Sequence, residues 1–219
     1  MNISTDWNKK DQVKCPHCGS RNTARILYGK PAMNDELQAE LDSGKVRLGG
    51  CCVSGIEDGN GDMIRLEPSR YCNDCQKEFS FPPFLVAKDQ SKAEAYNEIV
   101  KEIRFTVDGY LPGESVVIKK NEKGALVSAS KFLSDEIPDR QITKARWDKL
   151  VERLYVDFYL HEWQKKYDDS GVTDLEHWKL EILMTNRRKQ TYEGNHAYPP
   201  YWSELKALFR PFFKRSKNC

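Results

Sequence analysis

The residue pattern predicts an α+β chain in two parts, and three observations lead there. Six of the seven cysteines and most of the glycines fall between residue 13 and about residue 81, whereas four of the five tryptophans follow residue 95. Beyond residue 95 lie nearly all the long segments with helical or two-residue apolar spacing. Between the two regions stands Phe81-Pro82-Pro83-Phe84, followed by a polar stretch through Lys92. Consecutive prolines break helix and sheet pairing alike, so a connector fits there. The expected domains are residues 13–81 and 95–214.

In the first region Ala24 to Tyr28 reads as a short strand. Asn34 is placed to cap a helix through Leu41, with Leu37 and Leu41 on one face and Gly44 at its end. Val46 to Val53 reads as a small-residue strand, Gly55 to Asp62 as a turn-rich loop, and Met63 to Leu66 as another strand. Lys77 to Phe81 completes the unit.

The second region opens with strands around Ile99 to Val107 and Ser115 to Lys120. Asn121-Glu122-Lys123-Gly124 reads as a hairpin turn, with Ala125 to Ser130 returning. Thr143 is a cap for a helix whose Trp147, Leu150, Val151, Leu154 and Phe158 recur at helical spacing. Trp178, Leu180, Ile182 and Met184 alternate as a half-buried strand, which Asn186 to Lys189 turns back into Gln190 to Glu193. Pro199-Pro200 then precedes a last helix presenting Tyr201, Leu205, Leu208 and Phe209 to the core.

Composition narrows the function classes. Hydrophobic residues make up 39% and charged residues 31%, as in a globular protein with a polar surface. No apolar run approaches the length of a membrane span, and Met1 to Gln12 is too polar for a signal peptide, so a cytoplasmic location is expected. A net charge of +2 argues against a dedicated non-specific nucleic-acid binder. The charge is uneven, however: after Glu204 come Lys206, Arg210, Lys214, Arg215 and Lys217 with no acidic side chain. Such a tail is most simply a solvated C-terminus.

Cys15-Pro16-His17-Cys18-Gly19 and Cys72-Asn73-Asp74-Cys75 share one spacing. Two cysteines separated by two residues place both sulfurs on one ion when the backbone turns tightly, and Gly19 permits that turn. Two such turns supply the four soft ligands a tetrahedral zinc prefers, with no position left for water. The expectation is therefore one structural Zn2+ on Cys15, Cys18, Cys72 and Cys75. Redox chemistry is weaker, because Gly19-Ser20-Arg21 is a poor helix start; an iron–sulfur cluster is a further alternative. The 53 residues between Cys18 and Cys72 exceed the common ribbon interval of about 15 to 20. They must leave and return to one ion, so a subdomain is expected there. The combined expectation is an N-terminal zinc ribbon with a helical insertion, then a small antiparallel sheet packed by two helices.

Cys15-Pro16-x-Cys18-Gly19-Ser20, Ile26-Leu27-Tyr28-Gly29, Leu48-Gly49-Gly50-Cys51-Cys52-Val53-Ser54-Gly55 and Cys72-x-x-Cys75 together resemble a group of small bacterial zinc-ribbon proteins without an assigned activity. The loop Ile56 to Arg70 is longer than that group implies. Leu160-His161-Glu162-Trp163, Trp178-x-Leu180-Glu181-Ile182 and Gly194 to Trp202 resemble a second uncharacterised bacterial domain. The two resemblances cover about half the chain and imply no reaction.

Other candidates have simpler readings. Cys51 and Cys52 are candidates for spare ligands or a nucleophile, but free cysteine is a common core residue, so inert burial is expected. Asp58 to Asp62 imitates the start of a calcium loop, yet Met63 and Ser69 stand where that loop needs glycine and glutamate; a plain turn is expected. His161, Glu162, His177, Glu181 and His196 are candidates for an acid–base or metal site, with a structural histidine favoured at 161 because no HExxH occurs. Tyr198, Tyr201 and Trp202 either cover the core edge or form a recognition surface. Arg187, Arg188 and Lys189 form a basic hairpin tip, ordinarily solvated, which together with the tail is a candidate phosphate-binding patch.

Three functions follow in order: a zinc-dependent module that binds another protein, a nucleic-acid binder using the basic hairpin and tail, and an enzyme with an acid–base site in the second domain. No membrane partner is expected.

Overall fold

Alternating buried and half-buried side chains make Thr23–Leu27 the central strand β1 of the N-terminal unit. The computed structural model describes residues 13–57, 63–79, 84–86, 93–109, 113–131, 137–169 and 176–213. The chain divides into two units, Met1–Glu94 and Ala95–Cys219.

In the first unit β1 is followed by α1 (Asp35–Asp42), β2 (Val46–Leu48), β3 (Gly55–Glu57), β4 (Met63–Arg65), β5 (Arg70–Cys72) and β6 (Glu78–Phe79). The sheet order is β2-β1-β5-β6, with β3 and β4 paired separately. Strand β2 runs parallel to β1, so α1 is the crossover between them. The helix starts where the sequence places it. Asn34 Oδ1 accepts from the Leu37 N–H at 2.8 Å, and Asp35 and Glu36 sit at the positive end of the peptide dipoles. Leu37 is buried and Leu41 half-buried.

Two expectations for this unit are corrected. The strand predicted from Val46 to Val53 stops at Leu48, because residues 49 and 50 are glycines and Gly50 takes a φ of 95° that ends regular pairing. The segment from Gly55, read as a loop, begins with a strand through Glu57. The interval between the cysteine pairs is therefore mixed, holding strands as well as one helix. The calcium-like stretch Asp58 to Asp62 lies outside the described residues, as does Cys219.

Phe84–Val86 (β7) pairs with Ala93–Ala95 (β8). The second unit then holds α2 (Tyr96–Ile99), β9 (Val100–Asp108), β10 (Glu114–Asn121), β11 (Gly124–Lys131), β12 (Ile137–Thr143), α3 (Lys144–Glu152), β13 (Lys166–Asp168), β14 (His177–Met184), β15 (Lys189–Asn195) and α4 (Trp202–Phe209). Its sheet has seven strands in the order β12-β11-β10-β9-β14-β15-β13, antiparallel except for the β13–β15 pair. The small sheet expected from the sequence is thus corrected to a large one. Strand β12 escapes the pattern for a physical reason. Its buried residues, Ile137 and Ile142, are five apart, an odd interval that alternation assigns to opposite faces. Against β11, Val127 pairs with Arg140 but Ala129 with Ile137, so β12 carries one extra residue. That bulge beside Pro138 returns both isoleucines to one face and tolerates the missing N–H at the sheet edge.

The core lies on one face of this sheet. Ile103 stands opposite Ile118 and Ile182, and Phe105 opposite Val116 and Leu180. Helix α4 covers them: Phe209 stacks on Phe105 at 4.6 Å between ring centroids, and Trp202 meets Trp178 at 5.1 Å. Helix α3 starts on Thr143, whose Oγ1 accepts from the Arg146 N–H at 3.3 Å, and buries Trp147, Leu150 and Val151. The expected α-helical run through Phe158 widens in its last turn to a π-helix over Arg153–Asp157, closed by Phe158 N–H to Arg153 O at 2.9 Å. Its buried Tyr155 stacks on Tyr96 at 3.6 Å and donates to Gln190 Oε1 at 2.8 Å.

The opposite face is polar and internally neutralised. Glu181 accepts from Lys189 at 2.7 Å and Lys179 at 3.2 Å, and Glu102 pairs with Arg104 and, at 3.7 Å, with Lys119. Lys189, foremost, holds the Glu181 carboxyl below its ordinary value. A depressed carboxylate stabilises the fold above its unfolded pKa of about 4.3 and loses that contribution as pH falls through the folded value. Glu181→Gln is expected to destabilise the second unit by at most about 1 kcal/mol at pH 7. The difference from wild type should close below pH ~4, as read by urea titrations at both pH values.

Gly194 gives a sharper test. A Cβ there would stand 2.2 Å from Trp178 Nε1 and 2.4 Å from Ala197 O, the two atoms joined by a 2.8 Å hydrogen bond. Gly194→Ala must push apart a buried indole and its acceptor, so a loss of about 2–3 kcal/mol in denaturant unfolding is expected.

Candidate metal centre

Two short turns bring the four cysteines together. In the first, Cys15 N–H donates to Ser20 O at 2.8 Å and Gly19 N–H to Cys15 O at 2.9 Å. In the second, Cys72 N–H donates to Lys77 O at 2.9 Å and Gln76 N–H to Cys72 O at 2.9 Å. The bonds correspond one for one, so both CxxC segments adopt the same knuckle. Each also ends in a left-handed residue, Gly19 at φ 79° and Gln76 at φ 58°. Glycine takes that conformation without steric cost; glutamine does not.

The knuckles are stitched by their polar neighbours. Ser20 Oγ donates to Asp74 Oδ2 at 2.5 Å and Asn22 Nδ2 to Asp74 Oδ1 at 2.7 Å, which together hold the Asp74 carboxyl below its usual range. Asn73 N–H reaches Asn22 O at 2.9 Å, and its side-chain amide donates to Asn22 Oδ1 at 2.9 Å and Gly44 O at 3.0 Å. Strands β1 and β5 set the distance, pairing Thr23 with Cys72.

The resulting sulfur geometry matches a single ion. All four Sγ atoms lie within 4.8 Å of one another, with Cys15 to Cys75 at 3.7 Å and Cys18 to Cys72 at 3.6 Å. Four sulfurs about 2.3 Å from a central ion form a tetrahedron with edges of about 3.8 Å. Disulfides would need about 2.05 Å. Cys15 and Cys72 are fully buried, while Cys75 is half-buried and Cys18 is exposed at the rim.

Thiol chemistry is tuned by burial and by N–H donors. Burial pushes the Cys15 thiol well above its ordinary value, against opposing N–H donors at Cys18 and His17; the His17 N–H lies 3.4 Å from the sulfur. Cys18 is raised by burial too. At Cys72 burial acts upward, but the N–H groups of Cys75 and Asp74 and the neighbouring thiols outweigh it, and the value falls. Burial therefore opposes ionisation of Cys15 and Cys18 unless a cation joins them. Here four thiolate donors fit a soft divalent ion.

The remaining histidine and acidic candidates form no metal-ligating group of three or more among the described residues. His161 is buried beside the stacked Tyr96 and Tyr155 rings, at 6.4 and 6.5 Å between centroids, and burial lowers its pKa to about 4. Its Nε2 lies 3.8 Å from Glu162 Oε1. His177 and Glu181 stand four residues apart on one strand, about 13 Å along its length, and Glu181 is engaged by lysines. His196 is exposed, with a φ of 49°. Among the described residues the four cysteines are the group of three or more whose metal-ligating atoms meet.

Tyr201 and Trp202 are only 6% and 8% exposed and belong to the core, whereas Tyr198 is half-buried and stacks on Trp202 at 4.9 Å. Arg187, Arg188 and Lys189 are exposed, with Lys189 held by Glu181. The inert, buried reading of Cys51 and Cys52 is corrected: both are exposed, in the irregular stretch after β2. Their exposure was hidden from pattern reading because the flanking Leu48 and Val53 look like strand core, yet both are half open to solvent, at 49% and 53%.

No known protein-family model matches the chain, and no curated protein matches it. Among the described residues no helix is long and apolar enough to cross a membrane.

The two knuckles make opposite predictions at equivalent positions. Gly19→Ala forces a Cβ into the left-handed region and is expected to cost about 1 kcal/mol, whereas Gln76→Gly relieves that strain and should gain about 0.5–1 kcal/mol. Denaturant unfolding of the metal-loaded protein checks both.

Proposed function

We propose that the chain is a zinc-binding protein whose four-cysteine centre is structural, and that its first unit, a zinc-ribbon-like module, docks another protein in the cytoplasm. One observation carries the metal reading: four sulfurs from two knuckles of the same hydrogen-bond pattern lie within 4.8 Å of one another. Four thiolates would close the coordination shell, leaving no open position for a catalytic water. Ion binding would supply on the order of 10 kcal/mol to a unit whose sheet has strands of two to five residues. The resemblance to bacterial zinc ribbons agrees with this reading.

A protein partner is supported by where apolar surface is left open. Met33, Leu48, Val53 and Met63, between 49% and 67% exposed, all belong to the first unit; in the second, Leu126 is the exposed large hydrophobic among the described residues. Unpaired apolar area of this kind favours protein contacts over nucleic acid. The nucleic-acid alternative loses weight because Lys189, one of its three hairpin cations, is already held by Glu181.

Elemental analysis of the purified protein tests the centre. About one zinc per chain is expected, lost together with thermal stability of the first unit in the Cys15→Ala, Cys72→Ala double variant. Retention of zinc by that variant would overturn the assignment. Acidification should release the ion, since protons compete for thiolates. Duplex DNA added at low and moderate salt tests the alternative, which requires binding that weakens steeply with salt.

A further inference from the structure

Cys51 and Cys52 are adjacent in sequence, both exposed, and their Sγ atoms stand 3.9 Å apart. That separation is close to the 3.6 and 3.7 Å found between facing cysteines of the knuckles. It also matches the edge of about 3.8 Å expected when two thiolates share one soft ion at about 2.3 Å. The backbone on both sides of the pair is pinned.

On the N-terminal side, Gly49 N–H donates to Leu27 O at 2.8 Å, and Gly50 O accepts from Gly29 N–H at 2.8 Å. A side chain at Gly49 would stand 2.5 Å from Ile26 and Tyr28, so the loop lies flat on the end of β1. On the C-terminal side, Ser54 Oγ donates to Glu67 Oε1 at 2.6 Å, and Ser54 O accepts from Leu66 N–H at 3.1 Å. Only Cys51, Cys52 and Val53 span the gap between these anchors, and all three point to solvent.

The dithiol is also a separate site. The knuckles adjoin the start of β1, where Thr23 pairs with Cys72, whereas the loop adjoins its end at Leu27. Four residues of strand put about 13 Å between the two, too far for Cys51 or Cys52 to ligate an ion held by Cys15, Cys18, Cys72 and Cys75.

We propose that Cys51 and Cys52 form a second metal site, in which two thiolates chelate one soft ion on the surface and leave its other positions open. Binding exchanges two thiol protons for the ion, with no change in oxidation state. Open coordination makes the site exchangeable, in contrast to the closed four-thiolate centre. The proposal does not depend on what occupies the knuckles.

Cadmium is the probe, because its bonds to thiolate give a charge-transfer absorption that counts sulfur-bound ions. Reduced, metal-free protein is titrated with Cd2+, and Cys51→Ser and Cys52→Ser are titrated in parallel. Two equivalents are expected for wild type, the second released by a modest excess of chelator and the first retained. Each serine variant is expected to take one equivalent and keep the tightly held ion, which shows that the fold is intact. A single equivalent in wild type, or a second equivalent undiminished in both variants, overturns the proposal. Loss of the first equivalent alone, with the second kept, would instead count against the knuckle centre.

Discussion

Four sulfurs must meet within the span of one ion although 53 residues separate the two pairs that carry them, and the first unit is arranged around that demand. The chain leaves the first knuckle into β1, crosses through α1 to a parallel neighbour, makes the β3–β4 hairpin and returns along β5 to the second knuckle. Antiparallel pairing of β1 with β5 carries Cys72 to the strand end beside the first knuckle. The polar clamp of Ser20, Asn22, Asn73 and Asp74 then fixes the two turns against each other. Without an ion, the buried thiols of this cluster gain little from proximity, since desolvation opposes their charge; with one, the same burial strengthens the bonds.

The second unit solves a different problem. Its large sheet presents apolar rows on one face, and these are covered by α3, which buries Trp147, by α4 and by aromatic rings around Trp178 and Trp202. Several features that look functional in isolation are consumed by this packing. Tyr201 and Trp202 serve the core, Gly194 admits the Trp178 indole to its carbonyl partner, and His161 sits neutral among tyrosines. The outer face carries ion pairs both along and across strands: Glu102 with Arg104 and Lys119, and Glu181 with Lys179 and Lys189.

The candidate metal ligands and several element starts were legible because they rest on local chemistry. CxxC spacing decides whether two sulfurs reach one ion; Asn34 and Thr143 cap helices by bonding an N–H three residues on; Trp178 to Met184 alternate because one face is dry. Strand β12 was illegible since its bulge shifts Ile137 and Ile142 onto one face, a change that exists only against β11. The exposure of Cys51 and Cys52 was likewise invisible, because burial belongs to neighbours distant in sequence.

The four soft donors, the two tight turns that present them and the capped helices are legible from local residues, since each rests on interactions closed within a few positions. Tertiary contacts set the seven strands of the second sheet, the burial of Tyr201 and Trp202, and the exposure of Cys51 and Cys52 with their sulfurs 3.9 Å apart. The physical reason is range. Capping and knuckle geometry depend on bonds made to near neighbours, whereas face, register and exposure are set by which remote segment arrives alongside.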